Sequence, residues 1–130
     1  MIIELDLIPI SLNRLYRQFR GRTIISKEGR DFKQLVSFLV KDIDSSKLMG
    51  EFTETEGLKV SIRFYSDKFY TKDKRIRKRY LDADNLLKVV LDVVFKEIGI
   101  DDSYITKLVI SKKSGIYDKT VIEIERNSDV

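Results

Sequence analysis

Apolar residues recur along this chain with two periods, and the switches between them mark its elements. Over residues 2–7, Ile3, Leu5 and Leu7 alternate with Glu4 and Asp6, the pattern of a strand with one buried face. Pro9, the only proline, ends it. Residues 11–22 are rich in arginine and aromatic rings, with Gly21 as a turn, and read as a loop or an irregular arm running into a short strand at 23–26. Ser26 then fits a helix N-cap with Glu28 in the first turn. Phe32, Leu35, Val36, Leu39, Val40 and Ile43 follow at helical spacing. This predicts an amphipathic helix over 27–43 with its apolar stripe in the core. Residues 44–57 are polar, contain Gly50 and Gly57, and read as a connecting loop.

Period two returns at 58–66, where Leu58, Val60, Ile62 and Phe64 alternate with Lys59, Ser61, Arg63 and Tyr65. A second helix follows. At about 100° per residue, Leu86, Leu87, Val89, Val90, Leu91, Val93, Val94, Phe95 and Ile98 cover more than half its circumference. Lys88, Asp92 and Lys96 leave a narrow polar stripe, and Gly99 closes the helix as a C-cap. Residues 104–111 and 120–125 read as strands joined at Gly115 in a closing hairpin. The order predicts one α+β domain over 1–130, with two helices on one face of a mixed sheet in two layers. One sheet buries only one side of a helix, so the second helix has apolar surface to spare. Two readings fit that surplus: a homodimer through the second helix, or a helix sunk deep in its own core.

Composition narrows the chemistry. The chain has neither cysteine nor histidine. Disulfides, thiolate metal sites and serine or cysteine nucleophiles paired with histidine are excluded. Any metal must be held by oxygen, which favours hard cations such as magnesium or manganese. A general base would be a carboxylate, lysine, tyrosine or metal-bound hydroxide. No run of 18 apolar residues occurs, so no spanning helix and no membrane partner are expected. The opening MIIELDLIPI lacks the basic start of a secretion signal. An intracellular, cytoplasmic protein is expected.

The net charge of +4 is unevenly placed. Arg14, Arg17, Arg20, Arg22, Lys27 and Arg30 face one acid, Glu28, within 14–30. Lys68, Lys72, Lys74, Arg75, Arg77, Lys78 and Arg79 outnumber Asp67 and Asp73 within 67–80. The arm is either a solvated loop or a set of arginines forking onto phosphates while Tyr16 or Phe19 stacks. The second run, interleaved with Phe69, Tyr70 and Tyr80, is either a mobile loop or an electrostatic guide for nucleic acid. Acidic residues at 42–56 read as solvated.

Next to the second run stand Asp82 and Asp84, and the second helix separates them from Asp101 and Asp102. A D-x-D before a helix is either a cap with an exposed acid or a pair that needs a cation between its charges. Lys88, one turn in, is either an ion-pair partner of Asp84 or a cation aimed at a scissile phosphate. Asp92 is assigned to the helix surface, paired with Lys88 or Lys96. The two acidic pairs meet only if the chain folds back or a two-fold partner supplies one of them.

The chain resembles the RusA family of Holliday junction resolvases, common in phages and prophages. The shared residues are the arm from Pro9 through Asn13, Arg14, Tyr16, Arg17, Gly21 and Arg22 to Ser26 and Gly29, the run Asp82-Ala83-Asp84-Asn85-Leu86-Leu87-Lys88, Asp92, and Gly99-Ile100-Asp101-Asp102. Ala83 stands where a larger apolar residue often sits, and the basic loop is longer. The resemblance implies a homodimeric, magnesium-dependent endonuclease, with manganese substituting, that nicks opposed strands of a four-way DNA junction in recombination and repair. It implies Asp82, Asp84 and Asp102 as metal-holding catalytic carboxylates, with Asp101 beside them, and Lys88 as the essential lysine. DNA would lie on Asn13, Arg14, Tyr16, Arg17, Arg20, Arg22, Lys72, Lys74, Arg75, Arg77, Lys78 and Arg79. The alternatives are a branched-DNA-binding protein without catalysis and a metal-dependent flap or fork nuclease.

Overall fold

The structure is a computed structural model and describes residues 1–50, 56–77 and 82–129. In chain order its elements are β1 (Ile2–Leu5), α1 (Leu12–Leu15), β2 (Tyr16–Phe19), β3 (Arg22–Ile25), α2 (Lys27–Leu39), α3 (Ser46–Gly50) and β4 (Gly57–Tyr65). Helix α4 begins as Ala83–Val89, widens into a π-helical stretch at Val90–Phe95 and ends with Lys96–Ile98. Strands β5 (Ile105–Lys113) and β6 (Lys119–Asn127) complete the set.

The main sheet has the order β1–β6–β4–β5. Strand β6 runs antiparallel to β1 and β4, whereas β5 runs parallel to β4, so the sheet is mixed. The fold is α+β, as the periodicities predict. Alternation in β4 sends Leu58, Val60, Ile62 and Phe64 into the core, each with 0% exposure. They join Leu86, Val89, Val90 and Val93 of α4 in one cluster. The opposite face is half-solvated and carries Lys59–Glu125 and Arg63–Glu123 ion pairs at 3.6 and 2.8 Å. Pairs so exposed contribute little to stability.

The predicted closing hairpin does not form. Strand β4 lies between β5 and β6, pairing with both. Strand β4 takes the middle of the sheet, where its backbone N–H and C=O groups find partners on both edges. The 114–118 link therefore crosses the end of β4. There Ser66 donates its backbone N–H to the Lys113 carbonyl (3.0 Å) and its hydroxyl to Asp118 (2.7 Å).

Three further expectations change. Helix α2 stops at Leu39, and Phe32, Val36 and Val40 are buried while Leu35, Phe38 and Leu39 remain exposed. The α2 stripe is thus only partly core, because α4 already covers the buried face of β4. The connecting loop holds the short helix α3, preceded by an Asp44 carboxylate that accepts from the Ser46 N–H. That contact holds the Asp44 carboxyl below its usual range. Helix α4 is largely covered by its own chain: Val93 is 0% and Phe95 1% exposed, and only Leu87 and Leu91 among its apolar residues are half-buried. The deep-core reading accounts for most of its apolar surface.

The arm is ordered. Helix α1 hands the chain to the β2–β3 hairpin, whose two-residue turn places Arg20 and Gly21 at φ 49° and 74°. Positive φ at both turn positions matches the right-handed twist of the flanking strands. The hairpin is tied back through Ser26. Its hydroxyl donates to the carbonyls of Arg14 and Leu15 and accepts the Gly29 N–H that starts α2. Gly29 is buried, and a Cβ there would fall on the Leu15 carbonyl oxygen. Gly29→Ala is therefore expected to cost at least about 2 kcal/mol, since the obstacle is backbone. Thermal unfolding checks this, and a melting point within a degree of wild type contradicts it.

Candidate active site and nucleic-acid interface

Asp82 is the N-cap residue of α4, and its backbone carbonyl accepts from the Leu86 N–H. Its side chain makes no capping hydrogen bond. Asp84 lies in the first turn, and both carboxylates are exposed. The cap expected of Asp84 does not form: Asp82 takes the N-cap position without a side-chain bond, and Asp84 lies inside the first turn. Lys88, also exposed, makes no ion pair with Asp84 or Asp92 among the described residues.

At the other end, Gly99 takes the left-handed conformation at φ 74° and turns the chain out of α4. Asp101 caps a short 3₁₀ turn, Asp102–Tyr104, by accepting from the Ser103 N–H at 2.9 Å. That bond holds its carboxyl below the usual range. The capping task falls to Asp101 and leaves Asp102 exposed and directed by the turn.

Helix α4 separates the two pairs. From Ala83 to Ile98 it is about 24 Å long at 1.5 Å per residue. It carries the chain from the loop beyond the end of β4 back to the start of β5, where Ile105 pairs with Leu58. Among the described residues, no three carboxylates of one chain gather closely enough to hold a metal ion. The donors suit a hard divalent cation by type, being exposed oxygen ligands, but one chain does not close the set.

The arm hairpin presents Arg17, Arg20 and Arg22 to solvent, together with Asn13 at its root. Phe19 is 47% exposed, with the Arg17 and Arg20 guanidiniums 5.3 and 5.2 Å from its ring centre. Arg14 instead forks onto Glu28 at 2.5 and 2.7 Å, so its charge is shared with a carboxylate of α2. The basic loop is folded as far as it is described. Thr71 and Arg75 close a tight turn, Lys74 sits at φ 63°, and Tyr70 bridges to Ile76. Lys72, Lys74, Arg75 and Arg77 are exposed on it. Phe69, in contrast, is 1% exposed and belongs to the core. Lys78, Arg79 and Tyr80 lie outside the described residues.

The described surface thus carries acids at both ends of one helix, an exposed lysine near its start, a basic hairpin and a basic loop. The family model for Endodeoxyribonuclease RusA matches residues 8–125. The chain belongs to the RusA endodeoxyribonuclease family. Comparison with curated proteins gives no match.

Two motif residues of the RusA resemblance now have a structural explanation. Ser26 and Gly29 join the arm to α2, by capping and by close backbone approach. Asp92 departs from its surface assignment. It is half-buried and accepts a hydrogen bond from the Tyr16 hydroxyl at 3.0 Å rather than pairing with lysine. The reason is local: Asp92 sits in the π-helical stretch, whose wider turns offset the stripe expected from regular helical spacing. Only a break in that spacing could have signalled the contact, and the apolar run hides it. Tyr16 thus fastens the arm to the helix that carries Asp84 and Lys88, and is a contact within the protein.

Burial, followed by the Asp92 bond, raises the Tyr16 pKa above its ordinary value of 10.0. A raised phenol favours the protonated form in the folded state. Its contribution is fully present below the unfolded value and is lost as pH climbs through the folded one. Tyr16→Phe is expected to cost about 1 kcal/mol near neutrality. The gap from wild type should shrink above about pH 10. Denaturant melts at several alkaline pH values test this, and a gap that widens there overturns the assignment.

Proposed function

We propose that this protein is a homodimeric, magnesium-dependent endonuclease, with manganese substituting, that nicks two opposed strands of a four-way DNA junction. Each site would be assembled from both subunits. Asp82 and Asp84 of one protomer would face the partner subunit's Asp101 and the partner subunit's Asp102. The observation that carries this reading is the spacing of the acids: exposed pairs at opposite ends of a helix about 24 Å long, in a RusA-family chain. A two-fold axis crossing α4 reverses its direction and lays the start of one copy beside the end of the other.

The uncovered apolar surface supports that pairing. Leu87 and Leu91 of α4 are half-buried, and on neighbouring β5 Leu108 and Val109 are 37% and 44% exposed. Leu108 pairs with Val60 and so shares the helix-covered face of the sheet. The dimer would thus use α4, but through its residual margin and the β5 edge.

The chain's own groups have distinct tasks. Asp82, Asp84 and Asp102 supply the anionic oxygens that would hold the cation. Lys88 offers an exposed ammonium to the scissile phosphate or a proton to the leaving oxygen. Arg17, Arg20, Arg22 and the Lys72–Arg77 run hold the phosphate backbone without reading bases. The cation, when bound, would supply an activated water and charge stabilisation at the leaving oxygen.

Asp82→Asn and Asp102→Asn should each lower junction cutting by at least about 100-fold, a loss of several kcal/mol of transition-state stabilisation. Affinity for the junction should hardly change. Mixing the two variants discriminates further. In a shared-site dimer one site loses both changed residues and the other keeps its full set, so the mixture nicks one strand. If each chain held its own site, the mixture would be as inactive as its parents, and the assembly proposed here would be wrong.

A further inference from the structure

The two most exposed large apolar side chains among the described residues are neighbours. Ile116 is 85% and Tyr117 82% exposed, both in the link that crosses the end of β4. The link is not loose at its base. Ser66, itself 0% exposed, holds it from both sides by donating its hydroxyl to the Asp118 carboxylate and its N–H to the Lys113 carbonyl. Gly115 lies so close to Tyr65 that an added Cβ would approach the Tyr65 Cβ to 2.9 Å. Ile116 and Tyr117 thus crown a ridge with a fixed base.

Ile116 and Tyr117 line one of two hollows that share Asp67, and Lys113 and Ser114, just before them in the chain, line the other. The latter is lined by Lys72, Lys74, Lys112 and Lys113 beside Tyr70, with Asp67 the only acid among its described lining residues. The other is lined by Tyr65 and by the ridge itself, and its Lys68 and Lys119 are offset by acids. Lys119 also pairs with Glu4 at 3.3 Å. One flank therefore favours an anion, while the crest and the other flank favour a flat apolar group.

We propose that this ridge is a second nucleic-acid site, which takes unpaired nucleotides of single-stranded DNA with phosphates on the lysine flank and a base stacked on Tyr117. Cations beside an exposed ring are the combination that binds single strands without reading sequence. A duplex does not satisfy both halves, since its base faces are already stacked. A protein partner of matching shape would have to be acidic on one flank only. The ridge rests on the DNA-cutting reading, which supplies the polyanion, and extends the strand contacts from the basic loop, through Lys72 and Lys74, to Lys112, Lys113 and Tyr117.

The test is fluorescence anisotropy with a labelled thymidine oligonucleotide, alongside a duplex and a nicking assay on a four-way junction. Tyr117→Ala should weaken oligonucleotide binding at least about five-fold, with duplex affinity held and Tyr117→Phe close to wild type. Lys74→Ala and Lys113→Ala should each lower the salt slope for the oligonucleotide by about 0.7. Equal oligonucleotide binding by wild type and Tyr117→Ala overturns the proposal. Nicking by a wild-type protein that fails to hold the oligonucleotide also overturns it, and leaves the nuclease reading in place. Tyr117-dependent binding without any nicking keeps the ridge and removes the nuclease reading. A Tyr117 change that alters only the dimer equilibrium assigns the ridge to protein contact instead.

Discussion

The parallel pairing of β4 with β5 sets the geometry on which the candidate site depends. Two parallel neighbours cannot be joined by a tight turn, so the chain must return along the length of the sheet. Here the return is α4, whose apolar face fills the core beneath Leu58, Val60, Ile62 and Phe64. The helix cannot be shortened without uncovering the sheet. The acids that flank it are consequently held apart by the same packing that stabilises the fold. Their separation is a property of the core.

A second constraint orients the arm. Among the described residues its hairpin pairs only within itself. Two anchors hold it in place. Ser26 and Gly29 bring the Leu15 carbonyl against the start of α2, and Tyr16 reaches Asp92 on α4. The first anchor fixes where the arm leaves the body, and the second fixes its angle to the helix. The arm that carries Arg17, Phe19, Arg20 and Arg22 is thereby tied to the helix that carries Asp84 and Lys88. The π-helical stretch belongs to this arrangement, since Asp92 lies within it.

Much of this was legible from residue order. Alternation in 58–66 and the apolar breadth of 86–98 located the central strand and the core helix, because burial leaves a periodic trace. The absence of histidine and cysteine, with acids beside segregated bases, narrowed the chemistry to be sought to oxygen ligands beside a basic surface. Pairing was less legible. Strands β5 and β6 follow one another with a glycine between, the local signature of a hairpin, yet β4 separates them. No local pattern reports that a third strand will claim both edges. Asp92 was misplaced for a related reason: a stripe drawn at regular helical spacing fails where the helix widens, and an unbroken apolar run gives no sign of widening. The division of the acids between two ends of one helix was legible as well; that the chain runs on into β5 without bringing the two pairs together followed from the topology.

A site divided in this way, if completed across a two-fold axis, carries its own restraint. A lone protomer exposes two incomplete acid pairs, and carboxylates brought together without a cation repel. Cutting then requires association first, and association forms both sites in one event. Two sites related by the axis of the dimer present themselves to two strands related by the axis of the junction. The pairing of nicks would follow from the symmetry of assembly, with no signal needed between the sites. On this view the rigid core helix is the ruler of the reaction: its length sets how far one chain's acids lie from each other, and hence that they must find their complement in a second copy.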